Sequence, residues 1–169
     1  ITMPPKNLIP IPEGLTTTKA ALAEPLATAW HAVLTASRHS HRPLSETKGL
    51  VIGAGAVGLG SALSLKAFGC KEVSIAETNK LRRKTAEKSE IGFVVDPTHE
   101  GGIKDDTMDI VIDAVGCKES RIAAVKSAKP GSVVVHVGLL DGLDGFDARR
   151  ITLQEIVFVG VYTYTMMDF

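Results

Sequence analysis

From residue 49 onward the chain alternates short, continuous apolar runs with longer stretches whose apolar residues recur at helical spacing. Leu50-Val51-Ile52 is rich in β-branched side chains and predicts a strand buried on both faces. Glycine-rich residues follow, and positions 57–68 read as a helix that Gly69 terminates in a left-handed conformation. Val73-Ser74-Ile75-Ala76 predicts a second strand, 79–90 a polar helix, and Phe93-Val94-Val95 a third strand. Positions 108–115 predict a fourth strand, 118–128 a helix stopped by Pro130-Gly131, 132–137 a fifth strand and 156–161 a sixth. Gly138, Gly142 and Gly145 crowd the last connection, so its covering helix is expected to be short or absent.

The first part of the chain reads differently. Pro4, Pro5, Pro10 and Pro12 fall within residues 1–14, a density that denies helix and central strand alike and predicts an extended lead-in between domains. Thr16, Thr17 and Thr18 can cap a short helix, and Pro25 suits the first turn of a second through Ala27, Trp30, Val33 and Leu34. Residues 38–43 are polar and read as a break. The first residue is Ile1, and Thr165-Met166-Met167-Asp168-Phe169 reads as the threshold of another helix, so a fragment of a longer chain is expected. Residues 15–169 are expected to form one domain.

Six strands alternating with helices favour a doubly wound, mostly parallel α/β sheet with helices on both faces, because parallel neighbours require crossover connections. The length of 169 residues and the 44% hydrophobic content suffice for one sizeable core. Nineteen basic residues balance nineteen acidic ones, so no net field gathers phosphate backbone or anionic lipid. Nucleic acid and membrane are therefore disfavoured as partners, and with no signal-peptide pattern the chain reads as cytoplasmic. Cys70 and Cys117 lack zinc-knuckle spacing and read as small apolar residues.

Gly53-Ala54-Gly55-Ala56-Val57-Gly58 fits GxGxxG between a buried strand and a helix, the context that gives this pattern its specificity for a dinucleotide. Gly53 takes the tight turn, Gly55 lets a pyrophosphate approach the backbone, and Gly58 lets the helix pack closely. Amides at the helix start then meet the diphosphate charge. The plainer alternative is a tight turn with no ligand. Glu77 ends the second strand at the offset where a carboxylate accepts from the adenosine ribose hydroxyls, which favours NAD over NADP. Nearby Lys80, Arg82 and Arg83 could offset some repulsion of a 2′-phosphate, though Arg82 and Arg83 also read simply as a solvated helix face. Ala114-Val115-Gly116 and Val137-Gly138-Leu139 end two further strands where the nucleotide would cross; simple turn chemistry explains Gly116 equally well. His136 reads as a packed histidine before it reads as a proton shuttle, and Cys117 as inert rather than an activated thiolate.

These residues resemble the medium-chain dehydrogenase/reductase family, in particular its zinc-dependent alcohol, polyol and threonine dehydrogenases. The likeness runs through Leu8-Ile9-Pro10-Ile11-Pro12, Glu24-Pro25-Leu26, His31-Ala32 and the glycine turn. It continues through Asp109-Ile110-Val111-Ile112-Asp113-Ala114-Val115-Gly116, then Pro130-Gly131 and Gly160-Val161-Tyr162-Thr163-Tyr164. It implies a Rossmann fold that binds NAD, within an enzyme whose zinc polarises an alcohol for hydride transfer. It implies that Ala54, Gly55, Ala56, Val57, Glu77 and Arg82 serve the adenosine and pyrophosphate. Thr28 would meet the nicotinamide, and the backbones of Val161 and Thr163 its carboxamide. Glu24 matches a zinc-proximal ligand, but is also an ordinary acidic residue near a helix start. Gly92-Phe93 and Glu77 depart from the family's usual Gly-Ala and Asp.

The resulting expectation is the cofactor-binding domain of an NAD-dependent alcohol or polyol dehydrogenase, inactive by itself, with zinc held elsewhere. A stand-alone nucleotide-sensing or interaction module and a zinc-free reductase of the same broad family remain as alternatives. The last strand resembles an edge that pairs between subunits, so a homodimer is expected.

Overall fold

The computed structural model describes residues 2–99 and 101–169; Ile1, the first residue of the predicted lead-in, lies outside them. Six strands form one parallel sheet: β1 (Lys48–Ile52), β2 (Glu72–Ala76), β3 (Phe93–Val95), β4 (Met108–Asp113), β5 (Ala128–His136) and β6 (Val157–Gly160). Their spatial order is β3-β2-β1-β4-β5-β6, so the winding reverses between β1 and β4. That reversal opens a crevice at the carboxyl ends of the strands, the general location of ligands in doubly wound sheets.

Period-two alternation sends neighbouring side chains to opposite faces, and both faces are covered. Val51, Ile75, Ile110, Ile112, Val133 and Val135 join Ala32, Val33, Ala36 and Leu65 in one core. Those last four come from α2 (Ala23–His39) and α3 (Ala56–Ala67). Leu50, Ile52, Val111 and Val134 face the other way, against Ala124 and Val125 of α5 (Lys118–Ser127). The short α1 (Thr17–Ala20) buries no residue, and α4 (Lys80–Lys88) contributes Ala86 to the first core. The last connection carries only the six-residue α6 (Ala148–Leu153), the short helix its glycines foretold. Among the described residues no helix is long and apolar enough to cross a membrane.

Three boundaries differ from the sequence reading. The second of the two early helices is not short: α2 runs through Arg38 to His39, because Ala32, Val33 and Ala36 hold it against the core and His39 Nδ1 pairs with the Thr35 carbonyl. Pro130-Gly131 does not stop a helix but lies inside β5. Met108 pairs with Ala128 and Ile110 with Val133, so β5 bulges out there, with Gly131 at φ +71° and its N–H bonded to the Gln154 carbonyl at 2.8 Å. Within the lead-in, Pro5–Asn7 forms one 3₁₀ turn, which Pro5 can open because its missing N–H needs no partner there.

Candidate functional site

At the carboxyl end of β1 the chain turns sharply. Gly53 sits at φ +98°, donates its N–H to the Ala76 carbonyl at 2.7 Å, and would place a Cβ 2.7 Å from Val115 Cγ2. A Cβ on Gly58 would collide with the Gly53 carbonyl oxygen, so the first turn of α3 can lie this close to β1 only without one. Gly55 is different: a Cβ there would meet nothing within 4 Å. It is the N-cap of α3, with no side chain capping the helix, so the first amides of α3 have no internal acceptor and front onto open space. The partial positive charge of a helix start adds to their attraction for an anion.

Beside this turn, Glu77 is only 6% exposed. Its Oε2 accepts from Ala54 N–H at 2.8 Å and its Oε1 from Asn79 N–H at 2.8 Å. The carboxylate thus braces the glycine turn from the end of β2, and still has acceptor positions to spare. The two arginines have separate fates. Arg83 is consumed by the Glu77 and Thr78 carbonyls and by Asp96, 2.8 Å away, tying the end of β2 to that of β3. Arg82 is largely exposed, with Nη1 4.0 Å from Glu77 Oε2. The Thr98 hydroxyl and amide, with Arg83, hold the Asp96 carboxyl below its ordinary range.

The end of β4 is organised by a residue the sequence reading passed over. Asp113 is fully buried; its Oδ1 accepts from Val115 N–H at 3.0 Å and Gly116 N–H at 2.9 Å, and its Oδ2 from the Ser120 hydroxyl at 3.0 Å. Its carbonyl accepts from Val137 and Gly138 N–H, so one aspartate fixes both strand ends. Gly116 and Gly138 are packed backbone to backbone, each lacking room for a Cβ; contact between the two turns is reason enough for both glycines. His136 is half-buried beside Phe146 and Phe158, with Nε2 3.7 Å from Asp113 Oδ2. Cys117 caps α5 by accepting from Ser120 N–H at 3.4 Å, and with Ser120 below it forms a reciprocal capping pair. Arg121, also missed, is 3% exposed and bonds the carbonyls of Gly116, Gly142 and Asp144, pinning the long last connection.

Ile52, Gly53, Glu77, Thr78 and Val115 line a cleft of about 410 Å³ that is closed by Pro97, Thr98, Ile103, Ser120 and Ala123. Its walls are mostly apolar, with the Glu77 carboxylate at one side. Its rim also carries Glu119, whose own backbone amide and Cys117 hold its carboxyl below the usual value. Thus Gly53, Glu77 and Val115 come together in the cleft, whereas Gly55, Ala56, Val57, Gly58, Arg82, Ala114 and Gly138 do not line it. Thr28 (6% exposed) on α2 does not line this cleft, nor do Val137, Leu139, Val161 and Thr163 at the ends of β5 and β6. Val161 N–H bonds the His136 carbonyl at 2.9 Å, whereas Leu139 and Thr163 are exposed. Glu24 stands exposed in the first turn of α2, and among the described residues no group of three or more His, Cys, Asp or Glu is gathered to hold a metal ion.

The family model described as zinc-binding dehydrogenase matches residues 56–169. L-galactonate-5-dehydrogenase of Escherichia coli is 32% identical over 180 residues, covering all of this chain and 50% of that protein. Sorbitol dehydrogenase 1 of Saccharomyces cerevisiae is 27% identical, covering 98% and 49% respectively. Acetophenone reductase from Geotrichum candidum, solved in complex with NAD, superposes with a TM-score of 0.84 at 25% identity, covering 97% of this chain and 46% of that one. The chain therefore spans about half the length of these relatives. With well over half of its residues inside the matching model, the chain belongs to the zinc-binding dehydrogenase family.

Proposed function

We propose that residues 15–169 are the dinucleotide-binding domain of an NAD-dependent, zinc-type alcohol or polyol dehydrogenase. The observation that carries this reading is the uncapped start of α3 at Gly55, open above its amides and flanked by the buried Glu77 carboxylate. The diphosphate accepts from the amides of Gly55, Ala56 and Val57, and the adenosine occupies the apolar cleft. There Glu77 accepts from the ribose hydroxyls through the acceptor positions that Ala54 and Asn79 leave free. The same carboxylate disfavours a 2′-phosphate, and with Arg83 committed elsewhere the exposed Lys80 and Arg82 offset that repulsion only in part, so NAD is preferred to NADP. The sheet reversal sends the other mononucleotide across the ends of β4, β5 and β6, past Ala114, Val137, Gly138 and Leu139 towards Val161 and Thr163, with Thr28 on the α2 side.

Bound NAD supplies a hydride acceptor; the described residues bind and orient it. They do not by themselves fit a zinc site, since Glu24 is one carboxylate where a tetrahedral ion needs three or four ligands. Relatives named as galactonate, sorbitol and butanediol dehydrogenases support a polyol or secondary alcohol as substrate of the whole enzyme. The open edge of β6 supports pairing with a second copy as a homodimer.

Titration calorimetry with NAD and NADP tests the cofactor assignment, using Glu77→Gln, which removes the charge while its one carbonyl oxygen keeps an acceptor for one of the two bracing amides. The wild-type chain prefers NAD by roughly tenfold or more, an energy of about 1.4 kcal/mol, and Glu77→Gln narrows the gap. A preference for NADP, or an unchanged gap in the variant, rejects the ribose assignment.

A further inference from the structure

Of the residues proposed for the second mononucleotide, those nearest the nicotinamide, Thr28 and Val161 to Thr163, stand on two elements far apart in sequence, α2 and the segment that leaves β6. α2 runs from one edge of the sheet to the other. Ser40, just past its C-terminus, shares a cleft with Lys129–Ser132 near the start of β5, while Pro25 and Leu26 lie against Gly60 of α3. Its first turns, with Glu24 and Thr28, therefore stand at the carboxyl edge. The post-β6 segment begins at that same edge with Val161.

One polar contact joins the two among the described residues. His31 Nδ1 lies 2.8 Å from Asp168 Oδ2, across 137 positions of sequence. The Asp168 side chain is only 5% exposed, and the same oxygen accepts from Thr165 N–H at 2.8 Å and from the Thr165 hydroxyl at 2.6 Å. Those two bonds, with the imidazole, hold the Asp168 carboxyl below its ordinary value. The loop from Thr165 to Asp168 is thereby folded into a compact turn, and His31 is its anchor on α2. His31 follows Thr28 by three positions, so the two stand one above the other on one side of the helix.

We propose that His31 and Asp168 form a latch that positions the nicotinamide half of the bound dinucleotide, by fixing the spacing between the Thr28 face of α2 and the backbone of Val161 to Thr163. The inference rests on the dinucleotide reading above, and both residues are positioning residues rather than contacts to the cofactor. The adenosine half, bound across the switch point by Gly55 and Glu77, does not depend on the latch. A break therefore affects one half of the ligand only.

The test compares NADH with ADP-ribose, which shares everything but the nicotinamide. Binding is read by calorimetry for both and by nicotinamide fluorescence for NADH, on wild type, His31→Ala and His31→Asn. His31→Ala weakens NADH by roughly five- to tenfold, as expected for loss of a hydrogen bond to a charged group, and reduces the fluorescence gain on binding. Its ADP-ribose affinity stays within about twofold, and His31→Asn, whose amide can donate from nearly the Nδ1 position, restores NADH binding. Equal weakening of both ligands, unchanged NADH binding in His31→Ala, or no rescue by His31→Asn overturns the latch. Failure of wild type to bind ADP-ribose overturns the dinucleotide reading itself, and the latch with it.

Discussion

Two glycines of one hexapeptide are expected to respond in opposite ways to the same added methyl group. At Gly58 the methyl carbon lands on the Gly53 carbonyl oxygen, and neither atom belongs to a flexible side chain. The helix start must shift away from β1. Overpacking of this kind costs roughly 1–3 kcal/mol, and because backbone meets backbone the upper part of that range applies. Replacing glycine by alanine within a helix returns at most about 1 kcal/mol, leaving a loss of about 2 kcal/mol. For a domain of this size that lowers the melting temperature by roughly 4–8 °C. At Gly55 the backbone is ordinary extended chain at φ −77°, and the methyl meets nothing. Its small N-cap cost and the reduced freedom of the unfolded chain offset one another to within about 0.5 kcal/mol. The space it fills is nevertheless the space above the bare amides. Gly55→Ala is therefore expected to melt within about 2 °C of wild type yet bind NAD roughly tenfold more weakly. Scanning calorimetry and titration calorimetry on both variants decide the matter. If Gly55→Ala binds NAD like wild type, the diphosphate does not lie there; if Gly58→Ala melts normally, the close packing of α3 on β1 is not what requires a glycine.

Asp113→Ala leaves the Val115 and Gly116 amides without their acceptor in a buried turn, and is expected to cost about 3 kcal/mol in urea denaturation; a change under about 1 kcal/mol would show that the turn holds itself. Glu77→Ala orphans the Ala54 and Asn79 amides, so its melting temperature falls well below that of wild type; equal melting would contradict the bracing role. The Asp168 carboxyl is depressed in the folded chain, so its contribution is present above its unfolded value and is lost as pH falls through the folded one. Stability measured from pH 6 downward therefore falls in the acid range below the ordinary 3.8 of an aspartate, and Asp168→Asn removes part of that slope; identical slopes would refute it.

What could be read beforehand was local. The β-branched runs announce strands wherever they occur, and a glycine turn between strand and helix carries its steric logic within six residues. Pro130-Gly131 misled because the same dipeptide that ends helices also suits a strand bulge, and only the pairing of Met108 and Ile110 with β5 distinguishes the two. The tail of α2 was lost because Arg38 and His39 are polar, while the burial that sustains the helix comes from Ala32, Val33 and Ala36 against strands far along the chain. In the segment 109–116 the two aspartates look equivalent. Asp109 pairs with Lys129 and Lys48 N–H at the start of the sheet, whereas Asp113 organises the turns at its carboxyl edge. An acidic residue at the last position of an apolar run, just before Ala-Val-Gly, was the available signal. Arg121 gave none, since the carbonyls of Gly142 and Asp144 that it grips lie more than twenty residues away.

The central claim is that a diphosphate lies on the amides opening α3, and backbone amide chemical shifts measured while ADP-ribose is titrated into the isotopically labelled chain test it directly. The largest saturable shifts are expected at Gly55, Ala56 and Val57, with the amides around Lys129 at the opposite edge of the sheet unmoved. Saturation with those three amides silent, or with the principal shifts at the opposite edge, would contradict it.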